Sequence, residues 1–133
     1  SGGKYIAPQV MENKFKESRF IEQIMVIGEG EKHPAALIMP AEDSVKFWCK
    51  KHNITYSTLK EVIQNEKVID RYNQEIEQYN NFFNPYERIK KFKLLEDPWS
   101  VDGGELTATM KLRRKNILEK YKQICEDMYR SSI

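Results

Sequence analysis

The chain has 133 residues and a mass of 15.8 kDa, enough for one domain that buries roughly two thirds of the surface its unfolded form exposes. It is 40% hydrophobic, 32% charged and 11% aromatic, with 6 Gly and 5 Pro, which excludes collagen-like, disordered and disulfide-scaffold chains. The 22 Lys and Arg against 20 Asp and Glu leave a net charge of +2, too small to make nucleic acid or an anionic membrane the default partner.

The longest uninterrupted apolar stretch, 35–39, falls far short of the ~20 residues of a membrane-spanning helix, and the mean hydropathy of −0.71 agrees, so a soluble domain is expected. Ser1-Gly2-Gly3-Lys4 lacks the basic region, apolar run and cleavage site of a secretory signal, which makes the cytoplasm the simplest expected compartment. Cys49 and Cys125 are the only cysteines and lie far apart, the pattern of two reduced structural thiols rather than a disulfide framework.

In chain order, Pro8 is placed to open a helix on which Met11 and Phe15 share a face. Residues 21–27 and 35–39 are apolar runs separated by Gly28-Glu29-Gly30-Glu31-Lys32-His33-Pro34, predicting two strands joined by a loose hairpin and covered on both faces. Val45, Trp48, Cys49 and His52 fall at helical spacing, and Asn53 is a stop. Thr58-Leu59-Lys60-Glu61 matches a capping box for a short third helix carrying Leu59, Val62 and Ile63. Ile69, Tyr72, Ile76, Tyr79 and Phe83 form a seam along a longer helix that Asn84-Pro85 should end; this seam would pack on the sheet or pair with another chain. Phe92 and Leu94 alternate with Lys91 and Lys93 as in a half-exposed third strand. After Asp102-Gly103-Gly104, residues 115–130 place Ile117, Tyr121, Ile124 and Met128 on one face of a closing amphipathic helix. The expected class is α+β: a small mixed sheet of about three strands, with room for a further strand from an N-terminal hairpin, packed with four to five helices.

Local chemistry is sparse. Cys49 and His52 share a helical face, as a thiolate nucleophile or half a zinc site would, yet no second Cys/His pair exists to complete a metal site, and none is expected. Gly28-Glu29-Gly30 lacks the Gly-Lys-Ser/Thr ending of a phosphate loop and carries two glutamates that would repel phosphate, so it is a turn. No carboxylate pair stands out as a general acid and base. Lys111-Leu112-Arg113-Arg114-Lys115 could grip a polyanion, but without interleaved aromatics it reads as a solvated helix start.

Two segments carry more. Gly2-Gly3-Lys4-Tyr5-Ile6-Ala7-Pro8-Gln9-Val10-Met11-Glu12 puts flexible glycines before a Pro-opened helix, where backbone can approach a ligand closely. Glu105-Leu106-Thr107-Ala108-Thr109-Met110-Lys111-Leu112-Arg113-Arg114 places a lysine on a threonine-bearing loop between a Gly-Gly turn and a helix, a support from which a long ammonium arm could reach an anionic reaction centre.

In this order the two segments resemble the small C-terminal domain of the adenylate-forming acyl-CoA synthetases, in their long-chain fatty acid CoA ligase branch. The family's first motif, Gly-x-x-x-x-Pro-x-x-x-Glu, is matched by Gly3, Pro8 and Glu12, and its second by residues 106–114, with Ala108 where such ligases commonly have proline. The resemblance extends over essentially the whole chain. It implies that Lys111 is the catalytic lysine, that Gly2, Gly3, Lys4 and Tyr5 face the thioester-forming step, and that Arg113 and Arg114 are candidates for the phosphates of coenzyme A. It also implies ATP, Mg2+ and coenzyme A as requirements of a full-length enzyme that converts a fatty acid to acyl-AMP and then acyl-CoA. The partner is then the large N-terminal domain of the same ligase, with no nucleic acid and with room for peripheral membrane association of the parent enzyme. These 133 residues alone are expected to be inactive. The rival from another class is a stand-alone interaction module, dimerising through 69–83 or binding polyanions through 111–115.

Overall fold

The computed structural model describes residues 7–130. Helix α1 (Pro8–Phe15) leads into strand β1 (Ile21–Ile27), which turns back into β2 (Ala35–Pro40). Helices α2 (Glu42–Lys51), α3 (Leu59–Val62) and α4 (Glu66–Asn80) then carry the chain across to β3 (Lys91–Leu94), and α5 (Arg114–Lys120) and α6 (Lys122–Arg130) close it. The sheet order is β1-β2-β3, antiparallel between β1 and β2 and parallel between β2 and β3. The hairpin loop closes through a bond from Glu31 N–H to Gly28 C=O, with Gly30 at φ +77°, so the glycines serve a turn.

The apolar runs are buried on both faces because helices cover both. On one face Ile24, Val26, Ala36, Ile38 and Leu94 pack with Met11 and Phe15 of α1, Val45 of α2, and Tyr72 and Ile76 of α4. On the other, Met25, Ile27, Ala35 and Leu37 pack with Trp99, Leu106, Ile117, Tyr121 and Met128. Alternation along β1 and β2 thus sorts side chains into two helical layers separated by the sheet.

Several sequence signals act as expected. Pro8 stands in the first turn of α1, and the Thr58 hydroxyl accepts from Glu61 N–H at the start of α3. Ile69 and Tyr79 of the α4 seam, and Phe83 beyond its end, lie against the first core cluster, so the seam is used within the chain. Phe83 stacks on Phe15 with centroids 5.7 Å apart. Asn80 secures the entry to β3: its amide donates to Ile89 C=O (3.0 Å) and its carbonyl accepts from Ile89 N–H (2.9 Å).

The helix count differs from expectation. The closing amphipathic segment divides at Tyr121 (φ −108°, ψ 24°), giving six helices among the described residues. Trp99 Nε1 donates to the Tyr121 hydroxyl at 3.2 Å, so the side chain at the break is anchored to the loop ahead of α5. Among the described residues the sheet has the three strands β1, β2 and β3 and no further strand from an N-terminal hairpin.

Asn80→Ala would leave both polar groups of the buried Ile89 backbone without these partners. The expected cost is about 2–6 kcal/mol, at ~1–3 kcal/mol for each of the two buried groups left unpaired. Urea denaturation should show a lower midpoint with an unchanged slope.

Candidate functional site

Lys111 stands at the end of a short turn that projects from the second helical layer. Leu106 and Leu112 form an antiparallel bridge at its base, and Leu106 is itself buried in the core. Arg113 N–H donates to Glu105 C=O at 2.8 Å, fixing the next rung. Above the bridge, Thr107 N–H donates to Lys111 C=O (2.8 Å), Met110 N–H to Thr107 C=O (2.8 Å) and Lys111 N–H to the Thr107 hydroxyl (3.0 Å). The lysine backbone is therefore held while its side chain is exposed, and the ammonium has no hydrogen-bond or ion-pair partner among the described residues.

Two buried carboxylates hold the base of this turn. Glu105, 2% exposed, accepts from Ser100 N–H (2.9 Å) through Oε1 and from the Lys120 ammonium (2.7 Å) through Oε2. Burial by itself raises the Glu105 carboxyl pKa, but the bonds from Lys120 and Ser100 outweigh it and hold the group below its ordinary 4.5. Lys120 is correspondingly raised above 10.5, chiefly by its hydrogen bond to Glu105. The glycines ahead of Glu105 are required by this packing. A Cβ on Gly103 would meet Glu105 Oε1 at 2.5 Å, and Gly104 has φ +89° with its carbonyl bonded by Asn116 Nδ2 (2.9 Å).

Glu12 is the second. Although 4% exposed, it sits on α1 in the opposite layer and reaches around β1, one of the two edge strands among the described residues. Its Oε2 accepts from Val26 N–H (2.7 Å) and from Arg114 (2.8 Å), while its Oε1 takes a second guanidinium N–H of Arg114. Arg114 begins α5, three residues after Lys111. One bidentate pair thus joins the helix of the first motif, the edge strand and the lysine-bearing segment.

The remaining sequence candidates fall as follows. Gly2, Gly3, Lys4 and Tyr5 lie outside the described residues. Arg114 is engaged by Glu12, whereas Arg113 is exposed, with no side-chain partner among the described residues. The basic run 111–115 is consequently divided between the turn and the first residues of α5 rather than forming one helical face. Cys49 is buried, and burial pushes its thiol up; the His52 ring lies stacked on Trp48 at 4.2 Å, with Nδ1 on the Trp48 carbonyl at 2.9 Å. That geometry suits packing, not a thiolate nucleophile. Glu105 and Lys120 escaped the sequence analysis. The one local signal for Glu105 was an acidic residue lodged between a Gly-Gly turn and an apolar residue.

A family model described as AMP-binding enzyme C-terminal domain matches residues 1–132. The chain belongs to this family. Among individual proteins, the long-chain-fatty-acid CoA ligase FadD15 of Mycobacterium tuberculosis is 29% identical over 97% of the chain and 22% of its own length. The human long-chain-fatty-acid CoA ligase 1 is 27% identical over 96% of the chain and 18% of its own. The chain spans about a fifth of the length of these curated relatives. The same fold occurs in the adenylation domain of a carboxylate reductase from Mycobacterium chelonae, with a TM-score of 0.78 at 19% identity, covering 97% of this chain and 18% of that one. An A-PCP didomain of a carboxylic acid reductase from Segniliparus rugosus, solved in complex with AMP, gives 0.77 at 19% identity, covering 97% and 16%. An AMP-binding enzyme C-terminal domain therefore folds here as two helical layers about a three-stranded sheet, with Lys111 exposed on a turn braced by Glu12 and Glu105.

Two outcomes follow from the bracing. Arg114→Ala, which strands the Glu12 carboxylate, should destabilise the domain by about 3 kcal/mol in urea denaturation, and by more than Glu12→Gln, which removes the buried charge itself. The Glu105–Lys120 pair adds stability that is complete above pH 4.5 and is lost as acid drives the lowered Glu105 carboxyl through its folded-state pKa; at the alkaline end it is complete below pH 10.5 and lost as Lys120 deprotonates. Thermal melts across pH 2–7 should show a shallower acid fall in Glu105→Gln than in the parent chain.

Proposed function

We propose that this chain is the C-terminal domain of an AMP-forming long-chain fatty acid CoA ligase, in which Lys111 supplies the cation for adenylate formation. The observation that carries this is an exposed, unpartnered lysine side chain on a backbone held from both sides, in a domain of the AMP-binding enzyme family. The long-chain ligases among its relatives support the substrate class.

Joining a carboxylate to the α-phosphate of ATP brings two anions together and gathers further charge on the phosphoryl oxygens. An ammonium set between them orients the carboxylate and neutralises that charge, effects of several kcal/mol in comparable sites. A lysine suits this because its compact charge rides on a flexible stem, and an exposed turn can deliver it into a site built by another domain. The nucleotide and fatty acid would bind largely on the N-terminal domain, so the isolated chain is expected to be inactive, and a cytoplasmic enzyme is the simplest setting.

The second half-reaction exchanges AMP for the thiol of coenzyme A. Rotation of the whole domain would withdraw Lys111 and bring the segment around Gly2, Gly3, Lys4 and Tyr5 to the thiol path. The Glu12–Arg114 pair supports this, because it ties the first motif's helix to the lysine segment and makes both move as one body. Arg113, being free, is the better candidate for a coenzyme A phosphate, and Arg114 would act in the brace. Among the described residues no group of three His, Cys, Asp or Glu side chains is placed to hold a metal ion, and Mg2+ would be held with the phosphates of the nucleotide.

Lys111→Ala, in a ligase carrying this domain, is expected to lower adenylate formation by at least 100-fold and to leave thioester formation from preformed acyl-AMP near the parent rate. ATP–pyrophosphate exchange measures the first, and acyl-CoA release from supplied acyl-AMP the second. Equal loss in both half-reactions would refute the two-orientation scheme.

A further inference from the structure

Met110, immediately before Lys111, has φ +67°. Only one other non-glycine among the described residues is positive, Asn53, two residues past the end of α2, a residue type whose short polar side chain tolerates that region. Methionine has no such local means. The residue is also 56% exposed, so burial does not force the backbone into place. The turn itself must hold it there, and strained backbone beside a reactive group is a common sign of a functional constraint.

The holding contacts converge on Thr107. Its carbonyl accepts from Met110 N–H and its N–H donates to Lys111 C=O, both at 2.8 Å. Its hydroxyl accepts from Lys111 N–H at 3.0 Å and lies 3.2 Å from the Thr109 hydroxyl. The two backbone bonds are open to any residue at 107. The bond from the Lys111 amide is not: it needs a side-chain oxygen one carbon from the backbone, and it spans the peptide whose orientation Met110 sets. Without it, only the two backbone bonds of the turn hold Met110 against a return to negative φ, a rotation that swings the direction in which Lys111 leaves the chain.

We propose that Thr107 is a positioning residue for Lys111: its hydroxyl holds Met110 in the left-handed conformation and so aims the ammonium. This rests on the role of Lys111 proposed above, and it adds a cause for the aim. The threonine touches no substrate; it acts only through the backbone of its neighbours. Thr107 also sits directly above the Leu106–Leu112 bridge, so the aim is referred to the domain core through a single residue.

The test uses a ligase carrying this domain and compares both half-reactions. Thr107→Val keeps the shape but removes the hydroxyl, and is expected to lower the adenylation rate by about 10- to 100-fold, the scale set by a misplaced reacting group. Thr107→Ser, which keeps the oxygen, is expected to retain most of it. Adding Met110→Gly to Thr107→Val should recover a large part of the loss, because glycine enters positive φ without penalty. Met110→Val alone, at an exposed position where folding is not at stake, should lower adenylation because a β-branched residue resists that conformation. Thioester formation from preformed acyl-AMP should stay within about twofold in all four.

Parent-level adenylation in Met110→Val, or in a folded Thr107→Val, would overturn the proposal, as would parallel loss in both half-reactions or the absence of rescue by glycine. If Lys111→Ala itself left adenylation unchanged, the functional reading beneath would fall first. Lys111→Ala inactive with Thr107→Val fully active would overturn only the positioning role.

Discussion

A carboxylate buried to 4% exposure must be compensated where it stands, and Glu12 is compensated by the sheet edge and by the helical layer beyond it. Val26 N–H on the edge strand and the Arg114 guanidinium at the head of α5 converge on it from different layers. Each alternative is worse: an unpaired anion in the interior, an open edge N–H, or a helix start free to drift. The pair closes a contact between residues 102 positions apart. It therefore fixes how the first motif's helix lies relative to the lysine segment, and the functional reading depends on that relation.

The lysine turn shows a division of labour. Its interior is apolar and tied to the core through Leu106; its flanks are buried carboxylates paired with partly exposed cations, Glu105 with Lys120 and Glu12 with Arg114; its tip is polar, exposed and held by hydroxyl and backbone bonds. Rigid support beneath and an unpaired charge above are what a domain needs if its catalytic group must enter another domain's site and later leave it. A lysine paired at rest would lose that partner on each approach. A lysine on a loose loop would arrive without a defined direction.

What could be read in the sequence was what has a short repeat. The apolar runs of β1 and β2 announced a sheet covered on both faces, and the α4 seam announced a packed helix. Lys111 and Glu12 stand out in the sequence because they lie in local motifs. The braces themselves were not legible. Ion pairs such as Glu12–Arg114 and Glu105–Lys120 join residues whose local surroundings are those of ordinary surface charges, and only the fold brings them together. The break at Tyr121 has the same origin: the helical pattern of 115–130 is intact in sequence, and the residue at the division is anchored to Trp99, 22 positions earlier. Met110 gave no signal, since nothing in its side chain favours positive φ.

The most direct test of the account is the position of the Lys111 ammonium in a structure of the intact polypeptide with a non-hydrolysable acyl-adenylate mimic. Nζ is expected within about 2.7–3.2 Å of an oxygen of the carboxyl-phosphate linkage, with Glu12 still on Arg114. Lys111 turned to solvent while another cation occupies that place would contradict it.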